Sequence, residues 1–465
     1  MLRYFKINDP YRLLVILAIL FVLALPYFLD PPPLTHPELK SIVIGEKVRE
    51  GHSPYTDLVD FTGPLSAWFY AVSHFLFGDS LYARHIFAFV LLFLQGAILG
   101  FIFIDKKVFQ ESSFLPPLIF GILCLFSFDT LALTGDLMGG LFLIFALNSL
   151  FKELEFREQG NENVFNAGLF IGIASLFTFS FGLYIIAAIT ILGLYSRSTS
   201  PKFLLVLVGF TMPHLLLISA YYMKEGTTSL WAFYYLPNLR FENAGYFSLR
   251  SFFLLCVIPV GFLITSLVIL TRDARFTKYQ SQIVQALFFW MFFSIIHLWL
   301  TNEFRPQSVL VLFPALAYLI THMLLMIRRK RIAEIFFWIL LVGVIGISYL
   351  SRYGKIGAVQ YDSLIVKETN SQQLTGKRIL VLGDHPEWYK ENSLATPFFN
   401  WALSKPIFEH PEYYENVFAV YHGFKADPPE VIVDSTGYLA PFLERIPELK
   451  NQYQKSAGGY TRISN

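Results

Sequence analysis

A handful of ionisable side chains stand between or at the edges of long apolar stretches, where their chemistry is most informative. The carboxylates are Glu38, Asp60 and Asp136, with Asp57 a weaker fourth, and the cations are Arg84, Arg240 and Arg305. A carboxylate held within hydrogen-bond reach of a hydroxyl serves as a general base. An arginine stays charged and presents a planar fork of donors suited to phosphate. Each residue also has a plainer reading. Glu38 is an acid in the first turn of a helix, favourable to the dipole there. Asp60 suits a helix cap and Asp136 a helix start. Arg84 can snorkel to the interface, Arg305 can pair with Glu303 or a lipid headgroup, and Arg240 can be a loop charge. His214 and His297 fall within apolar runs and read either as a proton path or, more simply, as histidines bonded to a neighbouring helix.

Other chemistries lack their residues. His385 and His410 are isolated and no His/Cys pairing has ligand spacing, so no metal or other cofactor is expected. Gly383-Asp384-His385 follows an apolar run but has no lysine to cradle a nucleotide phosphate. Cys124 and Cys256 sit in apolar runs and read as small buried hydrophobes.

The elements that must position these residues are mostly membrane helices. Of 465 residues, 55% are hydrophobic, 17% aromatic and only 15% charged, and 49 are phenylalanine. That excludes an ordinary soluble enzyme. A net charge of +2 gives no field that would draw nucleic acid. About eleven apolar stretches approach bilayer-crossing length. They centre on 13–29, 81–104, 114–128, 137–151, 164–178, 181–195, 203–222, 252–270, 283–300, 309–327 and 335–350. The first is long and lacks a cleavage site before Asp30, so it reads as a retained anchor.

In an eleven-span arrangement the short basic loops share one side: Lys106 and Lys107, Arg197 and Lys202, Arg272, Arg275 and Lys278, then Arg328 to Arg331, together with Arg3, Lys6 and Arg12. The positive-inside rule makes that side cytoplasmic, with the amino terminus inside and the carboxyl terminus outside. The expected fold class is an α-helical polytopic membrane protein with a small extracytoplasmic α/β domain at the carboxyl end. Residues 1–350 form the transmembrane domain, including an outer loop over 30–80, and 351–465 form the outer domain. Within the latter, 378–383, 430–433 and 460–463 read as strands. The absence of a visible internal repeat weakens a transporter reading.

In the outer loop, Leu39, Ile42, Val43 and Val48 follow helical spacing and predict an amphipathic helix on the membrane surface. Gly51-His52-Ser53-Pro54-Tyr55, Asp57 and Asp60 follow. Gly63-Pro64-Leu65 then opens a second, aromatic-rich surface helix over 68–77.

The order of these features resembles the C-type glycosyltransferase superfamily, which includes protein O-mannosyltransferases and lipid A aminoarabinose transferases. The resemblance rests on the Gly-x-x-Pro-Tyr-x-Asp turn, the Asp-x-x-x-Pro-Leu segment, Phe77-Gly78-Asp79-Ser80 and Arg84. It extends to the glycine-containing stretch Ala167 to Ala174, taken as a helix start, to Arg305 before an apolar span containing Pro314, and to the tail's Pro429 to Val433. It implies a transferase in a bacterial inner membrane that moves a sugar from a polyprenyl-phosphate carrier to an acceptor on the outer face. Membrane lipids and that carrier are the implied partners. An acceptor hydroxyl needs a base, the departing phosphate a cation and the prenyl tail an apolar groove. By this resemblance Glu38, Asp60 and Asp136 are the catalytic candidates, and Arg305, Arg84 and Arg240 the lipid-phosphate candidates. Pro37 stands where the family carries its catalytic aspartate, and Glu38 where a second acid follows. That departure supports a second reading, a non-catalytic glycosyltransferase-like subunit of a membrane complex in secretion or envelope biogenesis.

Overall fold

The computed structural model describes the chain apart from residues 1, 7–8, 156–159, 196–199, 241–244, 274–275, 369–374, 396, 457 and 464–465, with only the backbone of Arg3 and Asp273. Arg197, Arg275 and the Arg3 side chain, three of the charges used for orientation, lie outside the described residues.

Every predicted apolar segment is helical. In chain order the main helices are α1 (Arg12–Leu29), α2 (His36–Arg49), α3 (Pro64–Phe77), α4 (Leu81–Asp105), α5 (Leu115–Cys124), α6 (Gly135–Leu154), α7 (Asn161–Phe177), α8 (Tyr184–Tyr195), α9 (Ser200–Met223), α10 (Leu249–Leu255), α11 (Val257–Asp273), α12 (Lys278–Leu300), α13 (Phe313–Met326), α14 (Lys330–Arg352), α15 (Trp401–Glu409), α16 (Tyr414–Ala426) and α17 (Ala440–Arg445). Among the described residues, seven helical stretches are long and apolar enough to cross a membrane, and an eighth is added if α10 and α11, bent by 61°, make one broken span. The chain is a multi-pass membrane protein. The other apolar helices, α5, α7 and α8, are shorter. Turns at Phe128–Leu131 and Phe179–Leu183 interrupt their runs, where polar Asp129 and Ser180 and small Gly182 stop the apolar pattern.

The chain packs into two compact units. The first comprises Met1–Pro33, Ser80–Leu217 and Phe241–Leu364. Its basic loops gather at one end: Lys106 pairs with Glu155 at 3.5 Å, Lys202 pairs with buried Glu153, and Gln282 donates to the Tyr195 carbonyl at 3.2 Å. The stretch Ala167 to Ala174 is not a helix start but the middle of α7. Its glycines serve packing: a Cβ on Gly168 would stand 2.0 Å from the Val206 carbonyl oxygen of α9, and one on Gly209 2.3 Å from that of Phe165. Such small-residue stripes let backbones approach where lipid supplies no hydrophobic drive between helices.

The second unit comprises Leu34–Asp79, Ile218–Arg240 and Ile365–Asn465. Its sheet has strands β1 (Arg378–Val381), β2 (Ser393–Leu394), β3 (Val431–Val433), β4 (Tyr453–Ser456) and β5 (Gly459–Arg462), in the order β2-β1-β3-β5-β4. β1 runs parallel to β2 and β3, while β5 is antiparallel to β3 and β4. The three predicted strand runs are β1, β3 and β5. Alternation along β1 and β3 feeds two cores. Leu380 and Ile432 pack with Phe408, Val420, Phe424 and Phe442 of α15, α16 and α17. Ile379, Val381 and Val431 pack instead with Leu39, Val43 and Ile44 of α2 and Ala67 and Tyr70 of α3.

The apolar stripe of α2, read from sequence as suited to a membrane surface, therefore covers the sheet. The tail does not stand as a separate unit, because its own helices cover one face of a sheet that is apolar on both. A sheet face left bare would expose a continuous hydrophobic patch, and the loop over 30–80 supplies the missing layer. The loop is held there by backbone pairing: Val366 N–H donates to the Leu34 carbonyl at 2.9 Å, and Val59 N–H to that of Pro397 at 2.8 Å.

Candidate functional site

In the first unit the site is built around Arg305. The sequence Asn302 to Gln307 leaves α12 and enters a 3-10 turn beginning at Pro306, whose fixed φ suits that position. Arg305 is only 2% exposed. Its Nη2 donates to Asp136 Oδ2 at 2.9 Å and to Thr134 Oγ1 at 2.8 Å, and its Nη1 reaches Asp129 Oδ1 at 3.5 Å. Asp129 also accepts the Gln307 backbone N–H at 2.8 Å, and Asp136 accepts the Thr178 hydroxyl at 2.7 Å. The Gln307 side chain donates to the Ala132 carbonyl at 2.6 Å, fixing the turn that carries Asp129.

Sequence reading joined Arg305 to Glu303 or a lipid. The structure joins it to Asp136 and to Asp129, which sequence reasoning missed. A carboxylate just after the apolar run ending at Phe128 was the available signal, since an acid at membrane depth needs a partner. Two carboxylates against one guanidinium leave the cluster with an excess of negative charge when both are ionised. The Asp136 side chain is 14% exposed, whereas that of Asp129 is fully enclosed and holds a second bond from Gln307.

Directly beside Arg305 in sequence, Phe304 lines an apolar cavity of about 480 Å³. Phe252, Cys256, Trp299 and Phe313 form further walls. The bend between α10 and α11 opens this space against α12 and α13. Arg84 is buried in the first turn of α4, and Arg240 is exposed at the end of the short helix Leu236–Arg240. His214 accepts or donates at 2.8 Å with Ser175, and His297 lies 4.9 Å from the Phe181 ring, so both are packed against neighbouring helices.

In the second unit, Glu38 and Asp60 are already engaged. Thr35 and Glu38 form a capping box at the start of α2: the Glu38 carboxylate accepts Thr35 N–H at 3.1 Å and its hydroxyl at 2.8 Å. Pro37 sits in the first turn, where a missing N–H costs nothing. Asp60 accepts the Thr62 N–H at 2.7 Å, the Asn400 amide at 3.0 Å and the Thr62 hydroxyl, and pairs with Lys40 at 3.2 Å. Lys40 also lies 4.0 Å over the Phe61 ring. Asp57 accepts the Ser53 N–H at 2.7 Å, closing the preceding turn.

Tyr55 is buried in that loop with a left-handed backbone (φ 68°). It stacks on Tyr234 at 5.5 Å and donates to the Thr62 carbonyl at 2.5 Å. Burial first, then Tyr234, Tyr221 and Asp60, raises its hydroxyl well above the ordinary tyrosine range, so it stays a donor. Burial lowers the His36 imidazole, against the opposing pull of Glu387 and Asp384. Among the described residues no group of His, Cys, Asp and Glu is arranged to hold a metal.

Two solved structures share this architecture. ArnT from Cupriavidus metallidurans bound to undecaprenyl phosphate superposes with a TM-score of 0.57, 13% identity, and coverage of 96% of this chain and 97% of that one. Its apo state gives 0.54, 13% identity, and 92% and 94% coverage. The fold is that of the C-type glycosyltransferases. No family model and no curated protein sequence matches the chain. On this C-type scaffold, the buried Arg305 cluster and the neighbouring apolar cavity belong to the helical unit, while Glu38 and Asp60 belong to the α/β unit.

Proposed function

We propose that the protein is a membrane glycosyltransferase that moves a sugar from a polyprenyl-phosphate carrier to an acceptor on the extracytoplasmic face. The observation that carries this reading is the apolar cavity beside the buried, doubly acid-paired Arg305, on a fold shared with a protein solved with undecaprenyl phosphate. In this proposal the cavity takes the prenyl chain and Arg305 takes the phosphate, exchanging Asp136 for phosphate oxygens. Arg84 is a second cation for the carrier, and Arg240 a peripheral one. Glu38 is the base that accepts the acceptor's proton, and Asp60 positions the loop beside it through Lys40 and Asn400. Direct attack by the acceptor inverts the anomeric centre.

The proposed setting is a bacterial inner membrane with the amino terminus in the cytoplasm. The gathering of Lys106 and Lys202 at one end of the helical unit supports that orientation. The outer stripe of α3, with Trp68, Val72, Phe75 and Leu76 exposed, is proposed to rest on the membrane surface.

The test is transfer from a labelled polyprenyl-phosphate sugar by the full chain reconstituted in lipid, alongside mass spectrometry of the lipid that copurifies. Carrier retention and transfer, both lost on Arg305→Gln, are the expected result. A folded protein that neither retains nor uses any polyprenyl-phosphate sugar would overturn the reading.

A second reading is favoured by one specific observation: Pro37 replaces the family's aspartate, and both nearby carboxylates are occupied by local contacts. It makes the chain a non-catalytic subunit of a membrane complex. Stable copurification of partner membrane proteins without transfer would select it.

A further inference from the structure

At the other end of α12 from Arg305, unused by the proposed reaction, the helical unit holds a polar cavity of about 970 Å³. Lys6, Arg272 and Arg328 line it from three separated stretches of chain, with Glu111 the one acid among the described residues of its wall. None of these three cations forms an ion pair with another described residue. Phe109, Ile269 and Leu325 give the wall an apolar part. His322 completes that wall, its ring 6.2 Å from Phe109 and 4.9 Å from Phe276.

Three cations on one cavity wall attract an anion, and guanidinium forks favour phosphate oxygens. The volume exceeds what inorganic phosphate fills, and the apolar part of the wall gives free phosphate nothing to bind. An amphipathic anion uses both. We propose that this cavity is a binding site for an anionic membrane phospholipid, its phosphate held by Lys6, Arg272 and Arg328 and the start of an acyl chain lying on Phe109 and Leu325. Basic pockets between membrane helices take lipid headgroups on the same physical grounds. Occupancy would tie the chain preceding α1 to the ends of α11 and α13, so the lipid would act as a brace for the bundle.

The experiment is thermal unfolding of the detergent-purified full chain with added phosphatidylglycerol, phosphatidylcholine or sodium phosphate, with native mass spectrometry of retained lipid. Phosphatidylglycerol is expected to stabilise the wild type and to remain bound, while phosphatidylcholine and sodium phosphate do neither. The Lys6→Gln/Arg272→Gln/Arg328→Gln variant should bind it roughly a hundredfold more weakly, the consequence of losing three cations near a membrane surface. The control Arg329→Gln/Lys330→Gln/Arg331→Gln should retain it.

Equal loss in the control would reduce the site to a diffuse positive field and overturn the proposal, as would undiminished binding in the cavity variant. Stabilisation by sodium phosphate alone would assign the cavity to free phosphate instead. Should the triple variant not fold, the wild-type comparison still decides, because equal stabilisation by phosphatidylcholine overturns an anion site.

Discussion

Arg305 donates to Asp136 at 2.9 Å while its other terminal nitrogen faces Asp129 at 3.5 Å, so one buried guanidinium is shared by two carboxylates of unequal exposure. Their difference in enclosure sets how much the loss of each should cost. Asp129→Asn removes a fully buried partner and should cost roughly 3 kcal/mol of stability. Asp136→Asn, at a partly open position, should cost about 1 kcal/mol. Denaturant unfolding of the two variants checks the order, and equal losses would contradict the assignment.

For carrier binding, Arg305→Gln should weaken polyprenyl-phosphate affinity tenfold or more, since a charge-assisted pair of bonds contributes on the order of 1.5–3 kcal/mol. Asp136→Asn frees Arg305 of a competitor and should leave affinity equal or tighter. Direct lipid-binding titration distinguishes them. Unchanged affinity in a folded Arg305→Gln protein would remove the residue from phosphate recognition.

At the start of α2, capping and chemistry can be pulled apart. Glutamine serves the third position of a capping box as well as glutamate does. Glu38→Gln should therefore keep stability near wild type while abolishing transfer. Thr35→Ala should lower stability by about 1 kcal/mol with transfer reduced only in proportion to the folded fraction. Full transfer by Glu38→Gln would end the case for Glu38 as base.

The Asp60 contacts join sequence-distant segments, so their effect is best read as a coupling. A double-mutant cycle of Asp60→Asn and Asn400→Ala should return an interaction of about 1 kcal/mol, with faster proteolysis in the loop over 51–63 for each single variant. Additive effects would mean the 3.0 Å contact contributes nothing.

His36 gives the α/β unit a pH dependence. Burial lowers its folded pKa below the unfolded value of about 6.5, so the unfolded chain binds the extra proton. The stability contributed by neutral His36 is then fully present above about pH 6.5 and is lost as pH falls through the folded value. His36→Gln should flatten this acid limb of the unfolding curve. An identical limb in the variant would place the titration elsewhere.

What the sequence determined by itself was local. Every apolar run became a helix because helix hydrogen bonds close within a segment and, in lipid, have no other partner. The runs at 378–383, 430–433 and 460–463 became strands because short β-branched stretches bounded by turns carry their own signal. Glu38 as a first-turn acid was legible as well, since Thr35, Pro37 and Glu38 are neighbours in sequence.

Tertiary structure alone decided which surfaces met. That Leu39, Val43 and Ile44 cover Ile379 and Val431 rather than lipid could not be read from their spacing, because an amphipathic stripe states that a face must be buried and not against what. Asp129, 176 residues before Arg305, and Asn400, 340 after Asp60, entered their clusters only through packing. Ionic and hydrogen-bonded partners at such separations are set by the fold's long-range contacts, and a linear pattern holds no record of them.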